Sequence, residues 1–392
     1  MQSDHILEKH MRVALISFTH SYNYGANFQA YALEKYIEDS CTDVKCCYIC
    51  YSRDFISASF HWLWQKVSSV ISRKDNNPSW SIKEYVKVVF QRSGEGLNVE
   101  TKAQFKKFWN LMSYDFNNKK PYRKKDLIEL NKRYDLFFSG SDQIWNCGRL
   151  YLDSTYMLDF VSNDLKKFSY APSLGMHSIP DKYYLAYKKY LSSFKELSCR
   201  EKEGADIISA LTGRKVEHVL DPVFLLNSNE WSDLARQSDL SNESLYKKKY
   251  ILVYTLSNDK GFISSIKTYS DIAKKEVLVI NDTNCNGRST GPFEWLYLFS
   301  HADEIFTDSF HGTAFSIIFN KQFMSYIPED SFFQDSRSRI TDLLSKLGLQ
   351  SRIISDLSCI TENEKIDYNE VNSKLACLIT QSKGYLDRCL RK

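Results

Sequence analysis

The sequence predicts an α/β fold of two doubly wound, Rossmann-like domains, with a helical insertion in the first. Three observations carry that expectation. Short apolar runs recur, each ending in a polar loop and followed by an amphipathic segment, the pattern of parallel strands joined by helical crossovers. The alternation stops in a polar stretch, RQSDLSNESLYKKK at 236–249, and then resumes. The chain has 392 residues, and domains commonly run to about 100–200, so two are expected.

Taken in order, VALISF at 13–18 reads as a buried strand, THSYNYGAN as its polar loop and FQAYALEKYIED as an amphipathic helix. VKCCYICY at 44–51 reads as the next strand and completes a β-α-β unit. From about 52 to 133, aromatic residues and lysines at helical spacing read as a helical insertion on this sheet. YDLFFSGSDQIWN at 134–146 returns to the strand-then-loop pattern. Further strands are expected at 167–171, at 196–200 and in VEHVL before Asp221 and Pro222, with a helix over EGADIISALTG ending at Gly213. The second half alternates YILVYTL, a helix near 259–274, EVLVI, a helix around EWLYLFSHA, EIFTD, a helix over GTAFSIIFN, and QFMSYI. Val371, Leu375, Leu378, Ile379, Leu386 and Leu390 form one helical stripe that needs a surface to cover. The expected division is 12–240 for the first domain, 241–365 for the second, and 366–392 for a terminal helix crossing back to the first.

Composition narrows the function. A net charge of +4, from 52 basic and 48 acidic residues, is too balanced for a protein whose affinity rests on neutralising nucleic-acid phosphates, so no nucleic-acid partner is expected. Apolar runs such as ILVYTL at 251–256 are far shorter than the roughly 20 residues of a spanning helix. The opening MQSDHILEKHM lacks the pattern of a secretory signal, and ten cysteines without framework spacing are expected to be reduced thiols, so the expected location is cytoplasmic. CCYIC contains a single C-x-x-C, Cys47 and Cys50, inside a strand-like run and reads as buried strand cysteines. FHWLWQKVSSVISRK at 60–74 places Phe60, Leu63, Trp64, Val67 and Ile71 on one face with basic residues beside it. That face suits either packing or a peripheral membrane contact.

Four polar clusters fall where strands are expected to end, the edge at which open parallel sheets bind ligands. In NYGAN, Asn23 and Gly25 read as a plain turn or as an anion loop before a helix N-terminus. In GSDQIWN, Ser141 and Asp142 are natural turn residues. Asp142, Gln143 and Asn146 can equally hold sugar hydroxyls, with Trp145 as a platform for an apolar sugar face. Arg200 in SCREKEG reads as an exposed salt bridge or as a fork for carboxylate or phosphate. His311 in TDSFHG stands at a strand-to-helix junction that Asp308 or Ser309 can cap. There it is either a hydrogen-bonded structural group or an acid/base beside an anion held by helix N–H groups. H-E-x-x-H and D-x-D are absent, so neither a metal nor a resident cofactor is expected.

The segments NYGANFQAYALEKY, YDLFFSGSDQIWN, YMLDF with KKFSYAPSLG, CREKEG, VLDPVFLL with EW, TDSFHGTAFSIIFN and SRITDLLSKLGL resemble, in combination and in order, the polysaccharide pyruvyl transferase family from about residue 12 to 352. The resemblance implies a fold similar to that of GT-B glycosyltransferases, with the site between the domains. It also implies phosphoenolpyruvate as donor, a co-substrate and not a cofactor, and a sugar acceptor whose two hydroxyls become bridged by a pyruvate ketal. His311, matching the family's S-F-H-G histidine, is implied as acid/base, and Arg200, matching its arginine-acidic step, as ligand of the donor anion. Ser309, Gly312 and Thr313 at the helix start, with Asn23, Gly25, Lys321 and Arg339, are expected on the donor side. Asp142, Gln143, Trp145 and Asn146 are expected on the acceptor side. The implied setting is capsule, exopolysaccharide or other surface-glycan assembly, with a lipid-linked acceptor met at the inner face of the membrane through 60–74. The alternative is a metal-independent GT-B glycosyltransferase with a nucleotide-sugar donor, and a third class is a sugar-binding protein that consumes no donor.

Overall fold

The computed structural model describes residues 10–52, 96–147, 152–242, 249–281, 283–327, 334–356, 358, 360 and 364–391. The apolar face expected at 60–74 lies outside them.

The first domain is built on β1 (Met11–Ile16), α1 (Tyr24–Ser40), β2 (Val44–Ile49), α2 (Val99–Trp109), β3 (Tyr114–Asp115), β4 (Leu136–Ser139) and β5 (Lys167–Ser169). The strands form one parallel sheet in the order β3-β2-β1-β4-β5, with β1 at its centre. Val13–Ile16 are buried because a parallel sheet is covered on both faces. α3 (Asp181–Ser192), β6 (Ser198–Cys199), α4 (Lys202–Thr212) and β7 (Glu217–His218) follow. β6 and β7 pair in parallel, and a bridge between Phe168 and Glu196 ties them to the main sheet. α4 ends where expected, at Gly213, which caps it in a left-handed conformation, φ 69°. In its described part the 52–133 insertion is not purely helical, since β3 extends the sheet beyond β2.

α5 (Ser228–Ala235) comes before the boundary expected at 240 and packs against the second domain, which contains β8 (Tyr250–Thr255), α6 (Lys260–Ala273), β9 (Glu276–Asn281), β10 (Asn284–Cys285), β11 (Arg288–Ser289), α7 (Pro292–His301), β12 (Glu304–Thr307), α8 (Phe310–Ile318), β13 (Gln322–Tyr326), α9 (Gln334–Leu347) and β14 (Ile353–Ile354). The sheet of that domain runs β11-β10-β9-β8-β12-β13-β14, parallel except for the β9-β10-β11 edge. α10 (Tyr368–Leu390) then lies across the first domain. The Tyr385 hydroxyl donates to the Ser169 carbonyl at 2.9 Å, Ser382 Oγ accepts from the Leu220 amide at 2.9 Å, and Arg388 meets Glu217 at 2.7 Å. Among the described residues no helix is long and apolar enough to cross a membrane.

An aromatic cluster fixes the two sheets relative to each other. Phe28 of α1 lies 5.1 Å from both Trp295 of α7 and Phe315 of α8, and Trp231 of α5 stands 4.9 Å from Phe315. Tyr24 adds a hydrogen bond from its hydroxyl to the Thr290 carbonyl, 2.6 Å. α1 is therefore buried on most of its circumference, and its N-terminus is held against the second domain. The protein has the GT-B arrangement, two Rossmann-like doubly wound sheets facing each other with a terminal helix that returns to the first.

Candidate active site

The carboxyl ends of β1, β4, β6 and β12 deliver four loops to the boundary between the domains. After β12, Ser309 takes extended backbone angles and its Oγ accepts from the Gly312 amide at 3.4 Å, capping α8. Thr307 Oγ1 accepts from the Ser309 amide at 3.1 Å, and a β-carbon on residue 312 would fall 2.2 Å from that same oxygen. Thr313 Oγ1 is engaged with the Ser309 carbonyl and with Ser325 Oγ, and its amide closes the first helical turn. Ser309, Gly312 and Thr313, expected on the donor side, all take part in building this turn. Asp308 does not cap the helix. Its carboxylate accepts from the amides of Leu256 and Ser257 and from the hydroxyls of Thr255 and Ser257, so it pins the loop after β8.

What the turn presents is His311. Its ring lies against the first turn of α1, where Asn23 caps the helix by accepting from the Ala26 amide at 3.0 Å. A β-carbon on Gly25 would stand 2.0 Å from Nδ1 of His311, so only glycine lets the ring approach this closely. Asn23 and Gly25 therefore shape the histidine side of the site, with the Asn23 carbonyl oxygen also held by Asn27 Nδ2 at 2.6 Å.

On its other side His311 faces Asp221. Nε2 and Asp221 Oδ2 are 3.7 Å apart, an ion-pair distance too long for a hydrogen bond. The same Oδ2 accepts from Arg200 Nη1 at 2.5 Å and from Ser141 Oγ at 3.3 Å, while Oδ1 accepts from the Val223 amide at 3.1 Å. Asp221 has no exposed side-chain surface. Burial pushes its carboxyl upward, but the adjoining imidazole and guanidinium overcome this and hold it well below the usual carboxylate range. Sequence reasoning gave Asp221 no role. Its one local signal was position, an aspartate straight after a strand and before a proline, which is also ordinary cap chemistry.

Arg200 is buried and not an exposed salt bridge. Nη1 is taken by Asp221, but Nε and Nη2 have no hydrogen-bond partner, and Glu201 Oε1 is 3.9 Å from Nε. Ser173 donates its hydroxyl to that Glu201 oxygen. The Phe310 ring lies 4.8 Å from the Arg200 guanidinium and 5.7 Å from that of Arg339. These groups border a small recess whose polar lining is Arg200, Asp221, Arg339, Asp342 and Lys346. An unpaired buried guanidinium edge costs desolvation energy that an anion in the recess offsets.

The 140–146 loop is stapled to 172–175. The Asp142 carbonyl accepts from the Ser173 amide at 2.8 Å, and Asn146 Nδ2 donates to the Gly175 carbonyl at 3.1 Å. Asp142 adopts φ 75°, and its charge acts on Arg200. Both amide atoms of the buried Gln143 lack partners. Trp145 is a correction. It is 1% exposed, stacks edge-on against Phe194, and donates its indole N–H to Ser139 Oγ and the Tyr156 carbonyl, so it belongs to the core and presents no face to a sugar. Lys321 is another. It follows α8 and immediately precedes β13, so it stands at the edge of the sheet opposite His311, within the field of Asp303.

The family model for polysaccharide pyruvyl transferase matches residues 23–330. No curated protein matches the sequence. Among solved structures, the UDP-GlcNAc 2-epimerase of Methanocaldococcus jannaschii, in complex with UDP-GlcNAc and UDP, is 11% identical with a TM-score of 0.46, covering 97% of this chain and 99% of its own. That of Neisseria meningitidis is 10% identical with a TM-score of 0.47, covering 97% and 99%. The Escherichia coli ADP-heptose LPS heptosyltransferase II is 10% identical with a TM-score of 0.33, covering 95% and 100%.

Proposed function

The chain belongs to the polysaccharide pyruvyl transferase family, and from that premise we propose that it moves pyruvyl from phosphoenolpyruvate to two hydroxyls of a sugar during surface-glycan assembly. The observation that carries the proposal is the buried array in which Asp221 Oδ2 joins Arg200, Ser141 and the facing His311 beside a cationic recess.

Ketal formation asks for this array. One acceptor hydroxyl attacks C2 of the enol ester while the methylene carbon gains a proton and becomes methyl. The second hydroxyl then attacks C2, and phosphate leaves with the remaining proton. His311 takes the first hydroxyl proton and supplies the one that reaches carbon. Asp221, fixed as a carboxylate, steadies the imidazolium formed between those transfers. The Nε and Nη2 edge of Arg200 is free for the donor carboxylate, a planar two-point match. Asp142 and Gln143, on the loop after β4, face the acceptor. The aromatic and basic segment 60–74 suits an acceptor carried on lipid at the inner membrane face.

The test is phosphate release from phosphoenolpyruvate by the purified chain, with mass spectrometry of lipid-linked and nucleotide-linked sugar acceptors. Phosphate appearing together with an acceptor heavier by one pyruvyl ketal is the expected result. Nucleotide release from a sugar nucleotide, without consumption of phosphoenolpyruvate, would replace the proposal with glycosyl transfer.

A further inference from the structure

Lys346, in the last turn of α9, has no part in the chemistry above, yet it lines the same recess as Arg200 and Arg339. A relay of hydrogen bonds places it. The Arg200 carbonyl can only accept, so at 2.9 Å it takes a hydrogen from His218 Nε2. Lys346 Nζ lies 2.8 Å from Nδ1 and 2.5 Å from Nε2 of the same ring, and Asp342 Oδ2 accepts from the ammonium at 2.9 Å. An ammonium has three donor hydrogens, more than Asp342 and one imidazole nitrogen can accept. The charges lining the recess are three cations, Arg200, Arg339 and Lys346, against Asp221 and Asp342, with Asp221 already paired to Arg200. The second observation is the Nε and Nη2 edge of Arg200, fully buried and without a partner.

We propose that Lys346 is a specificity-determining ligand of the donor, holding its phosphate group while the free edge of Arg200 holds its carboxylate, with Asp342 and His218 as positioning residues. The inference rests on the donor reading above. It makes the recess a site for a phosphorylated carboxylate, and it predicts a pH limit on donor binding. Burial pushes the Lys346 ammonium down to about 8, and the Lys202 charge pushes the same way against an opposing pull from Glu201. The other charged groups facing it are Asp342, whose carboxyl burial raises, with His218, Arg200 and Arg339. The phosphate ligand is thus lost as pH rises through about 8.

The test is calorimetric titration of phosphoenolpyruvate and of inorganic phosphate into the full chain without acceptor, from pH 7 to 9.5, for wild type, Lys346→Met, Lys346→Arg and Arg200→Lys. At pH 7, Lys346→Met is expected to weaken both ligands about tenfold or more. Wild-type affinity should fall above pH 8, whereas that of Lys346→Arg should persist because a guanidinium does not titrate there. The pH arm reads the inference even if Lys346→Met fails to fold. Loss of binding in Arg200→Lys, with Lys346→Met within twofold of wild type, would overturn the role of Lys346 and leave the donor reading standing. Phosphate binding that depends on Lys346, with no binding of phosphoenolpyruvate, would overturn both the donor reading and this use of the site. Wild type that bound neither ligand would overturn both as well.

Discussion

Nδ1 of His311 stands 2.0 Å from the point that a β-carbon on residue 25 would occupy, so Gly25 and His311 fill one space from two domains. A Gly→Ala change inside a helix ordinarily stabilises it by roughly 0.5–1 kcal/mol. Here the methyl group must push the imidazole away from Asp221 or spread α1 from α8. Gly25→Ala is therefore expected to lower kcat by about 10-fold to 100-fold, since small misplacements of a reacting group are costly. Steady-state phosphate release checks it, and a fully active variant would separate Gly25 from the chemistry.

His311→Ala and Arg200→Ala should each lower turnover by about 10² or more while far-ultraviolet circular dichroism stays native. Lys321→Met is the contrasting variant. That lysine precedes β13 at the far edge of the sheet, and its turnover should stay within about twofold of wild type. A large loss in Lys321→Met alone would reverse the assignment of which sheet edge carries the site.

Asp221→Asn removes the negative partner from a buried guanidinium. Breaking a buried pair from one side costs about 3–5 kcal/mol, so urea unfolding near neutral pH should show a loss of that order. The sign with pH follows from the depressed carboxyl. Its stabilisation is complete above the unfolded value of about 4 and drains as the pH falls toward the lower folded value. The variant should accordingly show a flatter acid limb than wild type, and parallel limbs would mean that Asp221 is not the group that titrates.

Much of this architecture is written locally. ILVYT at 251–255 is buried throughout because β8 is covered on both faces, and Gly213 marks the end of α4 because it adopts positive φ. The β10-β11 hairpin escaped notice because two-residue strands have no alternation to read. Its turn was nonetheless signalled by Asn286-Gly287, which adopt φ 48° and 88°. The candidate residues were legible where one side chain carried a local cue, as the strand-to-helix position of His311 and the post-strand position of Arg200 did. They were illegible where meaning depends on distant partners. Trp145 is buried because Ser139 and Tyr156 take its N–H, and Asp221 matters because Arg200, Ser141 and His311 converge on it from three other segments. Lys321 misled because sequence proximity to His311 hid a helix of about 1.5 Å per residue between them.

Glu34 gives a prediction independent of catalysis. It lies on the buried face of α1, where Oε1 accepts from the Ser113 amide at 2.7 Å and Oε2 has no partner. Burial, reinforced by the Glu38 charge against the Ser113 hydrogen bonds, pushes its carboxyl up to about 8. In the unfolded chain the same group titrates near ~4.3. Between those values the native protein holds a proton that the unfolded chain has released, so this contribution to stability is complete below about 4.3 and is lost as pH rises to about 8. Glu34→Gln keeps the acceptor for Ser113 and cannot ionise. It should be roughly 1–3 kcal/mol more stable than wild type at pH 8.5 and close to it at pH 5. Urea unfolding at the two pH values reads the difference, and an equal decline in both proteins would show that Glu34 is already ionised in the fold.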